Sequence, residues 1–291
     1  MKKLFLTFCA IFVMSAGANP CFAIKIGLQT SVDRIGVGAS MKTSLIDANT
    51  NKTICEIEAL KGYEIRPYKN TMAIRLNGKF YQIYSDNIVL KAPGGFVSAK
   101  GKWYRGILMI QNKNKKLTVI NNIDLEEYLK GVVPSEMPSS WELEALKAQA
   151  IAARSYALAN LGKRASLGFD LKDTPEDQAY GGASAETSRT TEAVDSTRGL
   201  VLTYNMKVVP AYYSASAGGK TINAADVWGS DVPFVRSVPS FDENVKKNGH
   251  GIGMSQHGAN NLAKKGYNAY QILNYFYQNV KFARVSENSF N

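Results

Sequence analysis

Cysteine and histidine are nearly missing from this chain. Of three cysteines in 291 residues, Cys9 and Cys21 fall within the first 23 positions and Cys55 stands alone afterwards, so the chain without that leader can form no internal disulfide. Cys55 sits in an apolar alternation and reads as a small core residue rather than a nucleophile. Two histidines, His250 and His257, with no cysteine or acidic motif beside them make a poor zinc set, and neither a metal nor another cofactor is expected. A run of the ~20 apolar residues needed to span a membrane is also lacking. The stretch Leu4 to Ala16, behind Lys2 and Lys3 and ahead of the small residues Cys21-Phe22-Ala23, instead reads as a secretory signal, 1–23, cleaved after Ala23. Only an uncleaved signal would tie the protein to a membrane.

Acidic residues are outnumbered, 24 against 35 basic, and the formal charge of +11 falls to +9 when Lys2 and Lys3 leave. The basic residues are scattered, without the dense blocks of a nucleic-acid arm. For a secreted or cell-envelope protein such a surface suits an anionic wall polymer, with plain solubility as the alternative. From 24 to 116 the chain alternates short β-type runs with turns: Lys42 to Asp47, Lys52 to Ile57, Met72 to Leu76, Lys79 to Tyr84 and Gly106 to Ile110. Asn77-Gly78 marks a tight hairpin. No His, Cys or carboxylates cluster here, so this part reads as a small β-rich module in front of a second domain, 117–291.

That second domain is organised around Glu136. Pro134 and Pro138 bracket the acid and disfavour helix at Val133 and Met137, which puts Glu136 on a stiff bend after a short helix, Asp124 to Lys130. Asp124, Glu126 and Glu127 at the start of that helix suit its dipole. Ser139 and Glu142, three apart, resemble a capping box for a long alanine-rich helix that ends near Gly162. On one face Leu143, Leu146, Ala150, Ala153, Ala157 and Leu161 line up, interrupted by Lys147 and Arg154. Buried, these two cations need carboxylates, carbonyls or a ligand, unless their stems snorkel to water. Their stacking beside Glu136 makes them candidate substrate-binding residues. Gln149 and Tyr156 share another face and are either site residues or buried supports.

The run Asp124-Leu125-Glu126-Glu127-Tyr128-Leu129-Lys130-Gly131-Val132-Val133-Pro134-Ser135-Glu136-Met137-Pro138, followed by Trp141 and by Glu144-Ala145-Leu146-Lys147-Ala148-Gln149-Ala150-Ile151-Ala152-Ala153-Arg154-Ser155-Tyr156-Ala157, resembles the SpoIID/LytB family. A second block agrees in order: Thr197-Arg198-Gly199, Ala211-Tyr212-Tyr213-Ser214 with Gly218-Gly219, and Gly249-His250-Gly251-Ile252-Gly253-Met254-Ser255-Gln256. The resemblance implies an α+β fold with the alanine-rich helix at its centre. It also implies a lytic transglycosylase acting on peptidoglycan glycan strands, with Glu136 as the catalytic acid and base. Some family members bind zinc through His and Cys where this chain has Ser214-Ala215-Ser216-Ala217. A second expectation from the same family is a non-catalytic wall-binding protein that stimulates an amidase.

Several downstream residues join the candidates. Glycines on both sides of His250 let a ligand come close, and His250, Ser255 and Gln256 are taken as possible substrate contacts. The segment Gly253 to Gly258 is one residue too long for a serine nucleophile elbow, and Ser255 is better read as the cap of a helix running to Lys265. Lys163 to Ser188 reads as loop, with Tyr180-Gly181-Gly182 beside a groove. A helix from Arg189 to Gly199, a hairpin of Leu200–Tyr204 with Val208–Ser214, and a final helix from Asn268 to Tyr277 burying Ile272, Leu273 and Phe276 complete the expected elements. The stretch from Asp231 to Gly249 is short for the family, which predicts a reduced groove wall. No second carboxylate stands out in the matched blocks. A hydrolase would need one about 5–9.5 Å from the first.

Overall fold

A computed structural model describes residues 22–285. Positions 1–21 of the expected signal, with Cys9 and Cys21, lie outside the described residues, as do positions 286–291. None of the described helices is long and apolar enough to cross a membrane.

Two sheets form the N-terminal part. One has seven strands in the spatial order Leu171–Lys172, Ala23–Val32, Lys116–Asp124, Ile107–Lys113, Asn87–Lys91, Thr43–Asp47 and Thr53–Ile57. The other has six: Lys102–Tyr104, Val97–Ala99, Ile35–Ala39, Tyr63–Tyr68, Thr71–Leu76 and Lys79–Ile83. Alternating side chains explain the layering, since Ile24, Ile26, Leu28, Leu108 and Ile110 are all buried while Ala23, Lys25, Ile107, Met109 and Gln111 beside them are more open. Each such side chain removed from water stabilises the fold by roughly 1.5–3 kcal/mol. The hairpin at Asn77-Gly78 forms as expected, with φ of 49° and 81° at its two central residues.

The boundary expected at 116/117 runs through a sheet. Lys116–Asp124 pairs antiparallel with Ala23–Val32 on one side, Ala23 opposite Asp124, and with Ile107–Lys113 on the other. This strand leads straight into the first helix, α1 (Leu125–Glu136), whose N-cap Asp124 accepts the N–H groups of Glu126 and Glu127 at 2.9 and 3.1 Å.

Helix α1 is longer than the sequence suggests, and Glu136 is its last residue instead of part of a separate bend. Pro134 lies inside it and withholds one N–H, yet the helix continues because its other groups are satisfied. Ser135 Oγ donates to the Gly131 carbonyl at 2.7 Å, and the Met137 N–H closes on Val133 at 3.0 Å. Val132 and Val133 are fully buried, so packing overrides the local preference against helix before proline. That preference acts one step later, where Met137 is extended (φ −133°, ψ 141°) ahead of Pro138.

The alanine-rich helix α2 (Leu143–Ala159) is covered on several sides, by α1, by α3 (Ser188–Ser196) and, beyond the short α4 (Ala224–Trp228), by α5 (Gln256–Lys264) and α6 (Ala269–Phe276). Small alanine side chains permit this crowding, and every residue from Ala148 to Leu158 is buried. The capping box expected at Ser139 and Glu142 does not form. Glu142 is the N-cap without a side-chain bond, and its N–H is taken by Asn260 Oδ1 at 3.0 Å. The helix stops at Asn160, short of Gly162, which leaves Leu161 exposed. The second hairpin strand expected to reach Ser214 ends at Val208, because Pro210 follows and cannot donate to a ladder. Ser255 caps α5 and Asn268 forms a capping box with Gln271 on α6, where Ile272, Leu273 and Phe276 are buried. The whole is a mixed α and β structure consistent with the α+β class.

Candidate functional site

Glu136 opens into a cavity of about 550 Å³ whose lining includes Tyr156, Lys163, Asp177, Tyr212, Tyr213, Trp228, His250 and Gln256. The end of α1 delivers the acid, the 173–180 loop closes one side, and the start of α5 the other. Close approach of that loop requires Gly131, where a Cβ would stand 2.6 Å from the Tyr180 ring and 2.8 Å from the Gly182 carbonyl.

Three donors converge on the Glu136 carboxylate. The Ala179 backbone N–H reaches Oε1 at 2.7 Å, Gln256 Nε2 reaches Oε2 at 3.2 Å, and the Tyr213 hydroxyl donates as well. Burial pushes the Glu136 carboxyl above its ordinary value of 4.5, and these three donors pull it only part of the way back. Among the described residues no cation pairs with Glu136 to oppose the rise. Tyr213 is itself oriented: its oxygen accepts from Gln178 Nε2 at 2.9 Å, which leaves its proton for Glu136. Burial and the neighbouring carboxylate keep the Tyr213 phenol well above its ordinary range, so it stays a donor. Gln178 is fixed in turn by the Ala153 carbonyl at 3.2 Å and the Tyr128 hydroxyl at 3.3 Å.

Opposite the acid stands an aromatic wall. Tyr212 meets Trp228 edge-on at 4.5 Å, Trp228 lies 5.7 Å from the His250 ring, and Tyr156 lies 6.1 Å from Tyr212. Trp228 is 41% exposed, an open ring face on which a sugar can stack. His250 Nδ1 accepts the Ile252 N–H at 2.9 Å, so the neutral ring carries its proton on Nε2. Burial, then Lys247, holds its pKa below the usual 6.5. A second carboxylate, Asp177, also lines the cavity, but it accepts from Lys163 Nζ and Arg164 Nε, both at 2.7 Å, and from the Lys172 N–H at 2.8 Å. Burial opposes its ionisation, and those cations and donors outweigh burial to keep it below 3.8. Lys163 also touches the Tyr156 hydroxyl at 3.2 Å.

Of the residues singled out by sequence, Glu136, Tyr156, His250 and Gln256 come together here. Gln149 is a buried support: its Oε1 lies 3.4 Å from Gln256 Nε2. Three others are corrected. Arg154 is fully buried and paired with Glu126 through bonds of 2.8 and 2.7 Å, with the Leu200 carbonyl at 3.1 Å, so its charge is met by protein and not by a substrate. Glu126 therefore does more than serve the helix dipole. Lys147 pairs with Glu144 at 2.8 Å and does not line the cavity. Ser255 is consumed by its cap, 3.1 Å from the Gly258 N–H, and by a 2.6 Å bond to the buried Asp242.

Sequence reasoning missed Ala179, Tyr213, Gln178, Trp228, Lys163 and Asp177. Ala179 acts through its backbone and leaves no side-chain signal, whereas Tyr213 stood inside a quoted motif. Among the described residues no three His, Cys, Asp or Glu side chains converge on a metal-sized site.

Comparison with known proteins agrees with this picture. Residues 113–204, which include Glu136, match the family model described as SpoIID, stage II sporulation protein. An uncharacterized protein of Brachyspira hyodysenteriae is 36% identical over 206 residues, 70% of this chain and 52% of that protein. The amidase enhancer of Bacillus subtilis is 48% identical over 107 residues, 37% of this chain and 14% of its own length. Stage II sporulation protein D of the same bacterium is 29% identical over 261 residues, 57% of this chain and 76% of that protein. The chain thus spans about half of the first relative and about a seventh of the second.

Proposed function

Because this chain belongs to the SpoIID/LytB family, we propose that it is a peptidoglycan lytic transglycosylase of the cell envelope, cleaving the bond between N-acetylmuramic acid and N-acetylglucosamine in peptide-stripped strands. The observation that carries this reading is Glu136: a carboxyl raised by burial, free of any cation, at the wall of a cavity with an open tryptophan face.

A carboxyl raised above its ordinary value is protonated in a larger fraction of molecules at any given pH, which favours the role of a general acid. Glu136 gives its proton to the glycosidic oxygen as that bond breaks. The resulting carboxylate then takes the proton of the C6 hydroxyl while the C6 oxygen bonds to C1, closing a 1,6-anhydro ring and restoring the acid. Tyr213, Gln256 and the Ala179 N–H stabilise the carboxylate between these two steps. Lys163 lines the cavity and shares Asp177 with Arg164 and the Lys172 N–H, which hold that carboxylate without it, so its ammonium can turn to the lactyl carboxylate of a stripped muramic acid, the role that Lys147 and Arg154 were expected to fill. Asp177 is already held by Lys163, Arg164 and a backbone N–H, which favours ring closure over activation of water.

The test is digestion of peptide-stripped strands by wild type and Glu136→Gln, followed by borohydride reduction and mass spectrometry. Wild type is expected to leave non-reducible anhydro ends, lighter than hydrolysed ends by one water, and the variant none. Mostly reducible ends would instead mean hydrolysis. A second reading is favoured by the 48% identity to an amidase enhancer: the chain binds wall strands and stimulates an amidase. That reading does not need Glu136. It wins if wild type cuts nothing while wild type and Glu136→Gln raise amidase activity equally.

A further inference from the structure

A second and larger hollow, about 920 Å³, shares no residue with the Glu136 cavity and lies on the six-stranded sheet. It exists because Gly36 and Gly62 carry no side chain. A Cβ at either would meet nothing within 4 Å. Ile35 and Val37 on each side of Gly36 are buried, so Gly36 faces the open side of the sheet, paired across from Glu64. Four basic side chains, Arg34, Lys61, Arg75 and Lys100, line the hollow against one carboxylate, Glu64. Arg75 is 4.0 Å from Glu64, and Lys100 is held by Asp173 at 2.6 Å. Arg34 and Lys61 have no carboxylate partner among the described residues; Lys61 has only the Tyr63 ring, 5.7 Å away. Gln29, also in the lining, has a buried Oε1 that accepts no hydrogen bond.

We infer that this hollow binds an acidic peptide. Two exposed cations free of protein carboxylates complement the carboxylates of such a peptide, and the Gln29 amide, whose Oε1 the protein leaves unmet, can turn to an N–H of the kind an extended peptide presents. A hollow of this size is that of a site for a short oligomer. That the peptide belongs to wall strands still bearing their peptides rests on the function proposed above. Such a site would grip unstripped neighbours while the Glu136 cavity works on a stripped strand.

The test is co-sedimentation of the full chain with purified peptide-bearing sacculi and with the same sacculi stripped by an amidase only as far as the remaining cross-links still let them sediment. Glu136→Gln prevents digestion during the measurement. Expected is binding to peptide-bearing sacculi at least about tenfold tighter than to stripped ones, weakening with salt. Adding Gly36→Leu, whose Cβ meets nothing within 4 Å and whose side chain enters the hollow, should erase the difference with melting unchanged, and Arg34→Glu with Lys61→Glu should do the same. Gly36→Leu alone should cut stripped strands at the wild-type rate. Undiminished preference for peptide-bearing sacculi in these variants overturns the proposal, as does equal binding to both sacculi or competition by poly(glycerol phosphate) alone. If nothing cleaves strands yet the hollow-dependent preference persists, the transglycosylase falls and the peptide site stands.

Discussion

Arg154 grips Glu126 through two parallel hydrogen bonds of 2.8 and 2.7 Å, which fixes its guanidinium at the first turn of α1 and not at Glu136. A glutamate with a raised pKa and a buried arginine close by in sequence are compatible because α1 presents Glu126 and Glu136 at different places. Glu126, in the first turn, meets Arg154. Glu136, at the last residue, meets only neutral donors.

Removing Arg154 should therefore be a stability experiment. Arg154→Met leaves Glu126 charged and buried, and about 3–5 kcal/mol of stability should be lost in urea unfolding. Adding Glu126→Leu should recover most of that loss, because no unpaired charge remains. A stable Arg154→Met protein with weakened strand binding would return Arg154 to the site.

Tyr213→Phe tests the tuning of Glu136. On the proposed mechanism cleavage needs the protonated acid, so its rate falls as pH rises through the Glu136 pKa. The Tyr213 hydroxyl favours the carboxylate, and losing it should raise that pKa further. The alkaline limb of the rate profile should move to higher pH, with Gln178 still held by the Ala153 carbonyl. An unmoved limb would remove Tyr213 from the list of groups that act on the acid.

Asp242 is the keystone of the loops that carry Ser255 and Gln256. Its carboxylate accepts from Ala217 and Gly219 N–H groups, both at 2.7 Å, from Ser255 Oγ at 2.6 Å, and from Ser240 Oγ. Burial resists its ionisation, but these donors prevail and hold its carboxyl below 3.8. Below that pH the unfolded chain binds the proton more readily than the folded one. The stabilisation is thus complete above about pH 3.8 and lost as pH falls through the lower folded value. Asp242→Asn places an amide donor among donors and should cost about 1–3 kcal/mol at neutral pH. The gap between the two proteins should narrow in acid; a gap independent of pH would show that the charge is not what matters.

Local pattern explains which elements could be read in advance. The Asn77-Gly78 hairpin, the Ser255 cap and the apolar face of α6 depend on neighbours a few residues away, and all three formed as expected. Pro134 misled because what keeps α1 helical around it is the complete burial of Val132 and Val133 in the core, which no local pattern announces. Glu136 and Gln256 were legible as parts of motifs, but the 3.2 Å contact joining them was not, and neither was the partner of Arg154. Chemistry was readable where side-chain type announces it. It was unreadable where a backbone N–H, that of Ala179, does the work.

The strand that leads into α1 also sets when the protein becomes competent. Ala23–Val32 pairs with Lys116–Asp124 and, in parallel, with Leu171–Lys172. The earliest strand described cannot complete its ladder until partners on the order of 100 residues later have been made and the intervening loop has closed, an entropic toll that slows folding. Asp124 is at once the residue opposite Ala23 and the cap of the helix that ends in Glu136. A nascent or partly folded chain accordingly has Glu136 on an unanchored helix, and the cleavage proposed for it should arrive late and all at once, with the closing of the first strand.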